Sequence, residues 1–376
     1  MKTVIIYQRI LPHYRVPFFE RLYEILLDQG IQLQVVYGNE KAGDVPKTVH
    51  VDAPWARYKK VTYFNFLGAE LVFQHARLSD FERDSNVIVE QSNRLLINYV
   101  FYFFRALKII EIGLWGHGKN FQSTNEKNFK ERFKRKYSTF ADWWFCYTAS
   151  GKQIISQLGF PSEKISVVRN SVDLGSLIKE QQRLKNTELA QLKERLGISG
   201  NNIAVYCGGM YAEKRIGFLL DACSEIKKSI PDYHVIFIGS GPDEHLVTSF
   251  CEENTWAHYV GSISGIKRVK YFSLGKVLLM PGAVGLAILD SFALNLPLVT
   301  TNITTHGPEI DYLESEVNGL MVEHNIQVYA QSVSGLLQDD KKRKILIEGC
   351  NHSKSLYSIE TMAQNFADGV LKLLGK

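Results

Sequence analysis

The chain has 376 residues, of which 45% are hydrophobic and 22% charged, and its formal net charge is +5. A chain of this length exceeds what one hydrophobic core usually serves, so two domains are expected. No window approaches the roughly 18 apolar residues of a membrane-spanning helix, and the N-terminal apolar run is too short for a signal peptide. The five cysteines are scattered without a C-x-x-C pair. This argues against a disulfide framework and a zinc site, and it indicates a cytoplasmic protein.

Positive charge is concentrated in the first half of the chain. Residues 1–170 hold 24 Lys and Arg against 16 Asp and Glu, and Lys119–Lys136 holds seven basic and two acidic residues. Aromatic residues recur nearby at helical spacing, namely Phe129, Phe133, Tyr137, Phe140 and Trp144. The pattern predicts either a helix packed on its own sheet or a basic helix resting on anionic lipid at the inner face of the cell membrane. No nucleic-acid motif accompanies the charge, so a nucleic-acid partner is not expected.

Short apolar runs alternate with segments of helical period, which predicts an α/β protein with parallel sheets. The predicted strands of the first half are Thr3–Tyr7, Ile31–Tyr37, Val87–Glu90, Ile109–Leu114, Trp143–Tyr147 and Ile165–Val168. Those of the second half are Ile203–Cys207, His234–Ile238, His258–Val260, Val277–Met280, Leu298–Thr300 and Leu320–Val322.

The two sets of strands predict two doubly wound, Rossmann-like domains. The polar stretch 171–200, with a charged helix over Lys185–Leu196, is interpreted as a hinge between domains 1–170 and 201–355. Residues 356–376 form a C-terminal helix that could pack back on the N-terminal domain. Ligands of such folds bind outside the carboxyl ends of the strands, so the domains are expected to face each other across a cleft.

Three glycine turns follow successive predicted strands of the C-terminal domain. The first runs from Gly208-Gly209 to Lys214-Arg215, the second is Gly239-Ser240-Gly241-Pro242, and the third is Gly282–Asp290. Glycines let the backbone approach a ligand, and helix N-terminal amides with Lys214 and Arg215 favour a phosphate. Each turn alone is more typical of a βα turn without a ligand, since neither of the first two completes G-x-G-x-x-G.

The third turn favours a nucleotide. The amides of Gly285, Leu286 and Ala287 could hold a diphosphate, while the Asp290 carboxylate accepts hydrogen bonds from ribose hydroxyls. The alternative is that Asp290 only complements the helix dipole. Three glycine turns at successive strand ends favour the first interpretation.

These motifs together resemble glycosyltransferase family 4, the retaining enzymes of GT-B fold, over nearly the whole chain. The first turn resembles the family's G-R-x-x-x-E-K-G phosphate loop, the second its G-x-G-P turn and the third its E-x7-E donor motif. Thr305–Ile310 and Val317–Val322 resemble its G-G-x-P-E-I … N-G-L-L-V stretch. Val168–Asp173 looks like its N-G-V-D segment, which adds Asn170 to the donor-binding candidates.

The departures from the family pattern concern charged side chains. Gly282 stands where the family has the glutamate that contacts donor-sugar hydroxyls, and Asp290 replaces the glutamate that contacts the ribose. The phosphate-loop arginine falls on Gly209, while Arg215 stands where the family has glycine. We interpret this as a relocation of the positive charge, with Lys214 keeping its family role.

The N-terminal half offers fewer signals. Arg9, His13 and Arg15 follow the first strand, where the resemblance places a loop on the acceptor side. Glu90 closes a strand and is a weaker acceptor-side candidate. His117 lies between two glycines at a strand end, and related enzymes place a histidine near the donor sugar from this domain. The alternatives are that the arginines are only solvated and that His117 is a structural histidine.

The resemblance implies transfer of a sugar from a nucleoside diphosphate sugar to a hydroxyl, with retention at the anomeric carbon. His117, Lys214 and Asp290 are the predicted catalytic residues. Lys214, Arg215 and the amides of residues 285–287 would stabilise negative charge on the leaving diphosphate, so no metal or other cofactor is required. The implied acceptor is a growing, lipid-linked bacterial surface glycan of lipopolysaccharide, capsule or exopolysaccharide type. A nucleotide-sugar epimerase or hydrolase and a non-catalytic glycan-assembly subunit remain as alternatives, the latter because of Gly209 and Gly282.

Overall fold

The computed structural model describes residues 2–44, 46–66, 68–75, 85–118 and 137–376. The chain forms two compact units. The N-terminal unit runs to Asp173 and includes Ile359–Lys376, and the C-terminal unit comprises Leu174–Ser358. The segment interpreted as a hinge therefore folds largely as part of the C-terminal unit.

In the described part of the N-terminal unit, a parallel sheet has the order β3-β2-β1-β6-β7-β8-β9, and β4 and β5 form an antiparallel hairpin. The elements are β1 (Lys2–Ile10), α1 (Val16–Asp28), β2 (Ile31–Gly38), β3 (Ala56–Tyr58), β4 (Val61–Phe66), β5 (Ala69–Gln74), β6 (Ser85–Glu90), α2 (Leu96–Ala106), β7 (Ile110–Gly116), β8 (Trp143–Cys146), α3 (Ala149–Gln157) and β9 (Ile165–Val167).

The central strands of this sheet carry continuous apolar runs because both of their faces are covered. Val4, Ile6 and Ile88 are completely buried. Strands β3, β4 and β5 were not predicted from the sequence. Their side chains are buried only in part, as in the alternating pattern of β5, so no long apolar run marks them.

The C-terminal unit holds a parallel sheet of order β12-β11-β10-β13-β14-β15, in which the order reverses between β10 and β13. Its elements are α4 (Gly175–Arg183), α5 (Asn186–Arg195), β10 (Asn202–Cys207), α6 (Ile216–Ser229), β11 (Tyr233–Ile238), α7 (Glu244–Glu253), β12 (Ala257–Tyr259), α8 (Val269–Phe272), β13 (Val277–Leu279), α9 (Ala287–Ala293), β14 (Leu298–Thr301), β15 (Gly319–Val322), α10 (Ile326–Gln338) and α11 (Asp340–Leu356).

The last helix, α12 (Ile359–Leu373), returns to the N-terminal unit. Its Phe366 is completely buried and stacks on Phe145 of β8 with ring centroids 4.3 Å apart. The same ring lies 5.0 Å from Trp115 and 5.5 Å from Phe18 of α1. An aromatic cluster therefore joins α1, the sheet and the C-terminal helix in one core.

The basic segment Lys119–Lys136, with Phe129 and Phe133, lies outside the described residues, so its predicted helix stays a prediction. Of the other aromatic residues in that pattern, Trp144 belongs to strand β8 instead of a helix. Tyr137 packs on Tyr99 and Tyr102 of α2, with ring centroids 5.3 and 5.4 Å away. Among the described residues, no helix is long and apolar enough to cross a membrane.

Candidate functional site

The three glycine turns of the C-terminal unit lie at the carboxyl edge of its sheet. They follow β10, β11 and β13, and β10 and β13 flank the point where the strand order reverses. Open α/β sheets bind ligands at this kind of switch point. The sheet topology thus brings together the three glycine turns that the sequence identified as donor-binding, whereas the candidate Asn170 lies in the N-terminal unit.

Close packing fixes the glycines of the first two turns. A Cβ atom at Gly239 would lie 1.9 Å from the Gly208 carbonyl oxygen, and one at Gly241 would lie 2.3 Å from the Met210 oxygen. Both glycines also have positive φ, +146° and +154°. A Cβ at Gly209 would lie 2.6 Å from the ring of Tyr211. The arginine that the family pattern has at this position would require Tyr211 to move.

Lys214 links the first turn to the third. Its ammonium group donates a hydrogen bond to the Ala283 carbonyl, and the Ala283 amide donates to the Glu213 carbonyl over 2.8 Å. The residue is 8% exposed, and burial lowers its pKa, which Glu213 partly opposes. A buried ammonium group with donors to spare is a strong site for a phosphate, because a bound anion would offset the cost of its desolvation.

Arg215 differs from Lys214 in burial and backbone conformation. It is exposed and adopts a left-handed conformation, with φ at 56°, immediately before α6. Left-handed backbone favours glycine, which agrees with the glycine that the family pattern has here. Arg215 therefore occupies an unfavourable conformation in a solvated position.

Gly282 has no room for any side chain. A Cβ atom there would lie 2.3 Å from the Lys214 carbonyl carbon and 2.5 Å from the Glu213 oxygen. The carboxylate that the family pattern has at this position is excluded by the backbone of the first turn. A different carboxylate lies nearby, because a Cβ at Gly307 would be 3.1 Å from Glu309 Oε2 and one at Gly285 would be 4.0 Å from it.

His306 holds the third turn against the loop that follows β14. Its Nδ1 accepts a hydrogen bond from the Val284 amide over 3.0 Å, which leaves Nε2 to donate to the Thr301 carbonyl over 2.8 Å. The Gly307 amide donates to the Val284 carbonyl over 2.7 Å. Burial lowers the pKa of His306, so the neutral ring that this arrangement requires is favoured.

Helix α9 begins at Ala287, after a tight turn in which the Ile288 and Leu289 amides donate to the carbonyls of Gly285 and Leu286. Asp290 consequently lies in the first turn of the helix. The amides of Gly285, Leu286 and Ala287 donate to no acceptor in residues 137–376 and can donate hydrogen bonds to a ligand.

Asp290 is 6% exposed and accepts a hydrogen bond from Arg268 Nη2 over 2.7 Å. Burial raises the pKa of Asp290 to about 6, although Arg268 opposes the shift. The carboxylate predicted to meet ribose hydroxyls is therefore already paired with a cation.

In the N-terminal unit, Arg9 and Glu90 meet at the carboxyl ends of β1 and β6. The Arg9 amide donates to Glu90 Oε1 over 2.9 Å, and burial raises the pKa of Glu90. His117 follows β7 and packs edge-on against Tyr147, with ring centroids 4.4 Å apart. His13 is exposed. These residues occupy the sheet edge where a ligand of this unit is expected, and their predicted roles stay predictions.

Arg15 and Asn170 contact each other inside the N-terminal unit. Arg15 Nη2 donates to Asn170 Oδ1 over 2.7 Å, and its guanidinium lies 5.3 Å from the Trp115 ring centroid and 5.8 Å from that of Tyr147. Arg15 is 7% and Asn170 3% exposed. The two residues form a buried pair, and the predicted acceptor-side role of Arg15 and donor-binding role of Asn170 stay predictions.

Arg268, His306 and Glu309 had no predicted role. The last two lie within the stretch Thr305–Ile310 that resembles a family motif, so a signal was present. Arg268 lies in the loop between β12 and α8, which no motif marks. No group of three or more His, Cys, Asp or Glu in the described part of the chain could hold a metal ion.

Comparisons with known proteins agree with this geometry. Residues 201–339 match the family model described as Glycosyl transferases group 1. Alpha-monoglucosyldiacylglycerol synthase of Acholeplasma laidlawii is 24% identical over 197 residues, 50% of this chain and 48% of that protein. Alpha-D-kanosaminyltransferase of Streptomyces kanamyceticus is 25% identical over 185 residues, 46% of this chain and 47% of that protein. The chain thus spans about half the length of the curated relatives it matches.

Solved structures resemble both units. Anabaena HepE in complex with UDP has a TM-score of 0.68 at 12% identity, covering 99% of this chain and 100% of that chain. Sucrose-phosphate synthase from Thermosynechococcus elongatus has a TM-score of 0.69 at 14% identity, with full coverage of both chains. The predicted GT-B fold with two Rossmann-like units is confirmed. Residues 201–339, which lie within the C-terminal unit, are similar to the group 1 glycosyltransferases.

Proposed function

We propose that the protein transfers a sugar from a nucleoside diphosphate sugar to a hydroxyl, with retention at the anomeric carbon. The observation that carries this proposal is the convergence of three glycine turns and Lys214 at the switch point of the C-terminal sheet. The match to group 1 glycosyltransferases over the same residues and the similarity of fold to a UDP-bound protein support it.

The chemistry of this edge of the sheet suits a leaving diphosphate. Negative charge grows on the diphosphate as the glycosidic bond breaks, and preorganised donors stabilise it. Lys214 is held in place by Ala283, and the amides of residues 285–287 are adjacent in the chain. The leaving phosphate can itself take the proton of the acceptor hydroxyl, so this proposal requires no carboxylate pair. Lys214 and the amides would offset the phosphate charge in place of a metal.

Glu309 is the carboxylate that we assign to the donor sugar. Gly282 excludes the family's glutamate, whereas Glu309 Oε2 lies beside Gly285 and Gly307. A carboxylate accepts hydrogen bonds from sugar hydroxyls and can offset positive charge on the sugar ring. The loss of an acid at residue 282 is therefore compatible with a working donor site.

The acceptor and the cellular location are finer parts of the proposal. We assign Arg9, His13 and Glu90 to the acceptor side and His117 to the donor sugar, from their place at the carboxyl edge of the N-terminal sheet. The acceptor is a lipid-linked surface glycan. The basic segment Lys119–Lys136 holds the protein peripherally on anionic lipid, since each Lys or Arg near such a surface contributes about 1 kcal/mol.

A vesicle experiment tests the location. We expect co-sedimentation with anionic but not neutral vesicles, lost in 1 M salt, where the screening length falls to about 3 Å. Replacing Lys130, Lys134 and Arg135 with glutamine should weaken the binding to anionic vesicles without affecting nucleotide binding. Equal sedimentation with both kinds of vesicle, or none with anionic ones, would contradict membrane attachment.

A donor panel tests the function. Thermal unfolding is measured with UDP-, GDP-, ADP- and dTDP-glucose, and we expect one nucleotide class to stabilise the protein. A ligand at 100 times its dissociation constant adds about 2.7 kcal/mol. The anomeric configuration of the product, read by NMR, then tests retention. If none of the four nucleotide sugars stabilises the protein, the result would argue against the proposed donor site and favour a non-catalytic role.

A further inference from the structure

Arg268 lies where the strand order of the C-terminal sheet reverses. Its Nη2 donates to Asp290 Oδ1, 2.7 Å away, in the helix that follows β13. Its Nη1 lies 4.0 Å from Cys207 Sγ, at the carboxyl end of β10. These two contacts place the guanidinium over the gap between β10 and β13, although its own loop follows the distant edge strand β12.

The contacts of Arg268 leave part of its hydrogen-bonding capacity unused. A guanidinium has five N–H donors, of which one is committed to Asp290 and one makes a long contact to Cys207 Sγ. Nε is buried and meets no acceptor among the described residues. The side chain retains 22% exposure, so a ligand at the edge of the sheet can reach it.

The family's phosphate-loop arginine has no counterpart at residue 209, which is a glycine in this chain. A Cβ atom there would lie 2.6 Å from the ring of Tyr211. Arg215, the sequence-based candidate for the relocated charge, is exposed. Arg268 is instead fixed by a buried carboxylate, and ordering the side chain in advance reduces the entropy lost on binding. A guanidinium also matches the geometry of phosphate oxygens better than an ammonium group does.

We propose that Arg268 binds the diphosphate of the donor nucleotide and that Asp290 is a positioning residue for Arg268, in place of a direct ribose ligand. This inference rests on the proposed function. It assigns the diphosphate contact to a residue outside the glycine turns and gives Asp290 a different partner from the one that the sequence suggested.

Two variants separate the roles of the pair. Asp290→Asn keeps Arg268 and an oxygen acceptor for it. The double variant Arg268→Gln with Asp290→Asn removes the guanidinium without leaving a buried, unpaired carboxylate, which could prevent folding. Lys267→Gln is the matched control, since it removes one positive charge from an exposed neighbour in the same loop.

The measurement is calorimetric titration with UDP, GDP, ADP and dTDP, and with the matching nucleosides. For the nucleotide that the wild type binds, we expect the double variant to lose about 10- to 100-fold in affinity, as for a charged hydrogen bond. Asp290→Asn should lose much less, and Lys267→Gln should stay within about two-fold of wild type. Affinity for the free nucleoside should not change.

Each contrary result has a distinct meaning. If Asp290→Asn alone loses as much as the double variant, Asp290 is itself the ligand and the inference is wrong. If the double variant binds like Lys267→Gln, Arg268 does not contact the diphosphate, while the donor site stands. If the wild type binds none of the four nucleotides, the proposed function fails and the inference fails with it.

Discussion

Gly282 shows how one missing side chain shapes the candidate site. The backbone carbonyl groups of Glu213 and Lys214 occupy the space that a Cβ at residue 282 would need. The same stretch of backbone carries Lys214, whose ammonium group donates a hydrogen bond to the Ala283 carbonyl. A glycine at this position thus brings the lysine next to the third turn, at the cost of the acidic side chain that the family pattern has there.

Gly282→Ala should reduce both stability and nucleotide binding. Overpacking of a closely packed position costs about 1–3 kcal/mol. Gly335→Ala in α10 is the control, because a Cβ there meets nothing within 4 Å, and alanine is favoured over glycine in a helix by about 0.5–1 kcal/mol. Chemical denaturation compares the two variants. A Gly282→Ala variant as stable as wild type would show that the first turn can move away from residue 282.

Asp290 makes stability depend on pH. Its pKa in the folded protein is about 6, above the ordinary value of 3.8, so the folded state binds the proton more tightly. The contribution of this group to the free energy of unfolding is therefore present at low pH and is lost as pH rises from about 4 to about 6. Asp290→Asn should remove that slope. If wild type and variant have parallel pH profiles over this range, the carboxylate is not buried as described.

At the scale of elements, helix α12 completes the core of the N-terminal unit. Met362, Phe366 and Val370 are completely buried, although a whole unit separates them in sequence from the sheet they cover. Residues 356–376 were predicted to form a C-terminal helix that could pack back on the N-terminal domain. Its exact partners, Phe18, Trp115 and Phe145, depend on tertiary packing that no local pattern records.

Phe366→Ala should destabilise the N-terminal unit by about 3–5 kcal/mol, the usual cost of removing a buried aromatic ring. Hydrogen exchange should accelerate in α1 and β8, while the C-terminal unit keeps its protection. Phe103→Ala is the control, because Phe103 is 61% exposed and surface changes cost little. Acceleration confined to residues 174–358 would contradict this assignment of α12.

At the scale of the whole molecule, the alternation of apolar runs and helical segments was sufficient to predict two Rossmann-like units. The strands at the centre of each sheet were predicted to within one to three residues at each end, because they are buried on both faces. The edge strand β3 and the hairpin β4–β5 were missed because only part of each strand is buried.

The candidate site was predicted less completely than the fold. The glycine turns and Lys214 could be predicted from local spacing, because each turn lies between a predicted strand and a predicted helix. The pairing of Arg268 with Asp290 depends on the path of the loop after β12, which runs from the edge of the sheet toward its centre. Sequence spacing does not predict the path of this loop. Likewise, the proximity of Glu309 to Gly285 follows from the hydrogen bonds of Val284 with His306 and Gly307.

Release of nucleoside diphosphate from the donor sugar tests the central claim most directly. The assay uses the donor class identified by the panel, excess EDTA, and wild type beside Lys214→Ala. We predict that the wild type releases nucleoside diphosphate in the presence of EDTA. We also predict that Lys214→Ala binds the nucleotide about 10- to 100-fold more weakly than the wild type, since a hydrogen bond to a charged group contributes about 1.5–3 kcal/mol. Turnover that stops in EDTA and returns with magnesium, or equal nucleotide affinity in both proteins, would contradict the account.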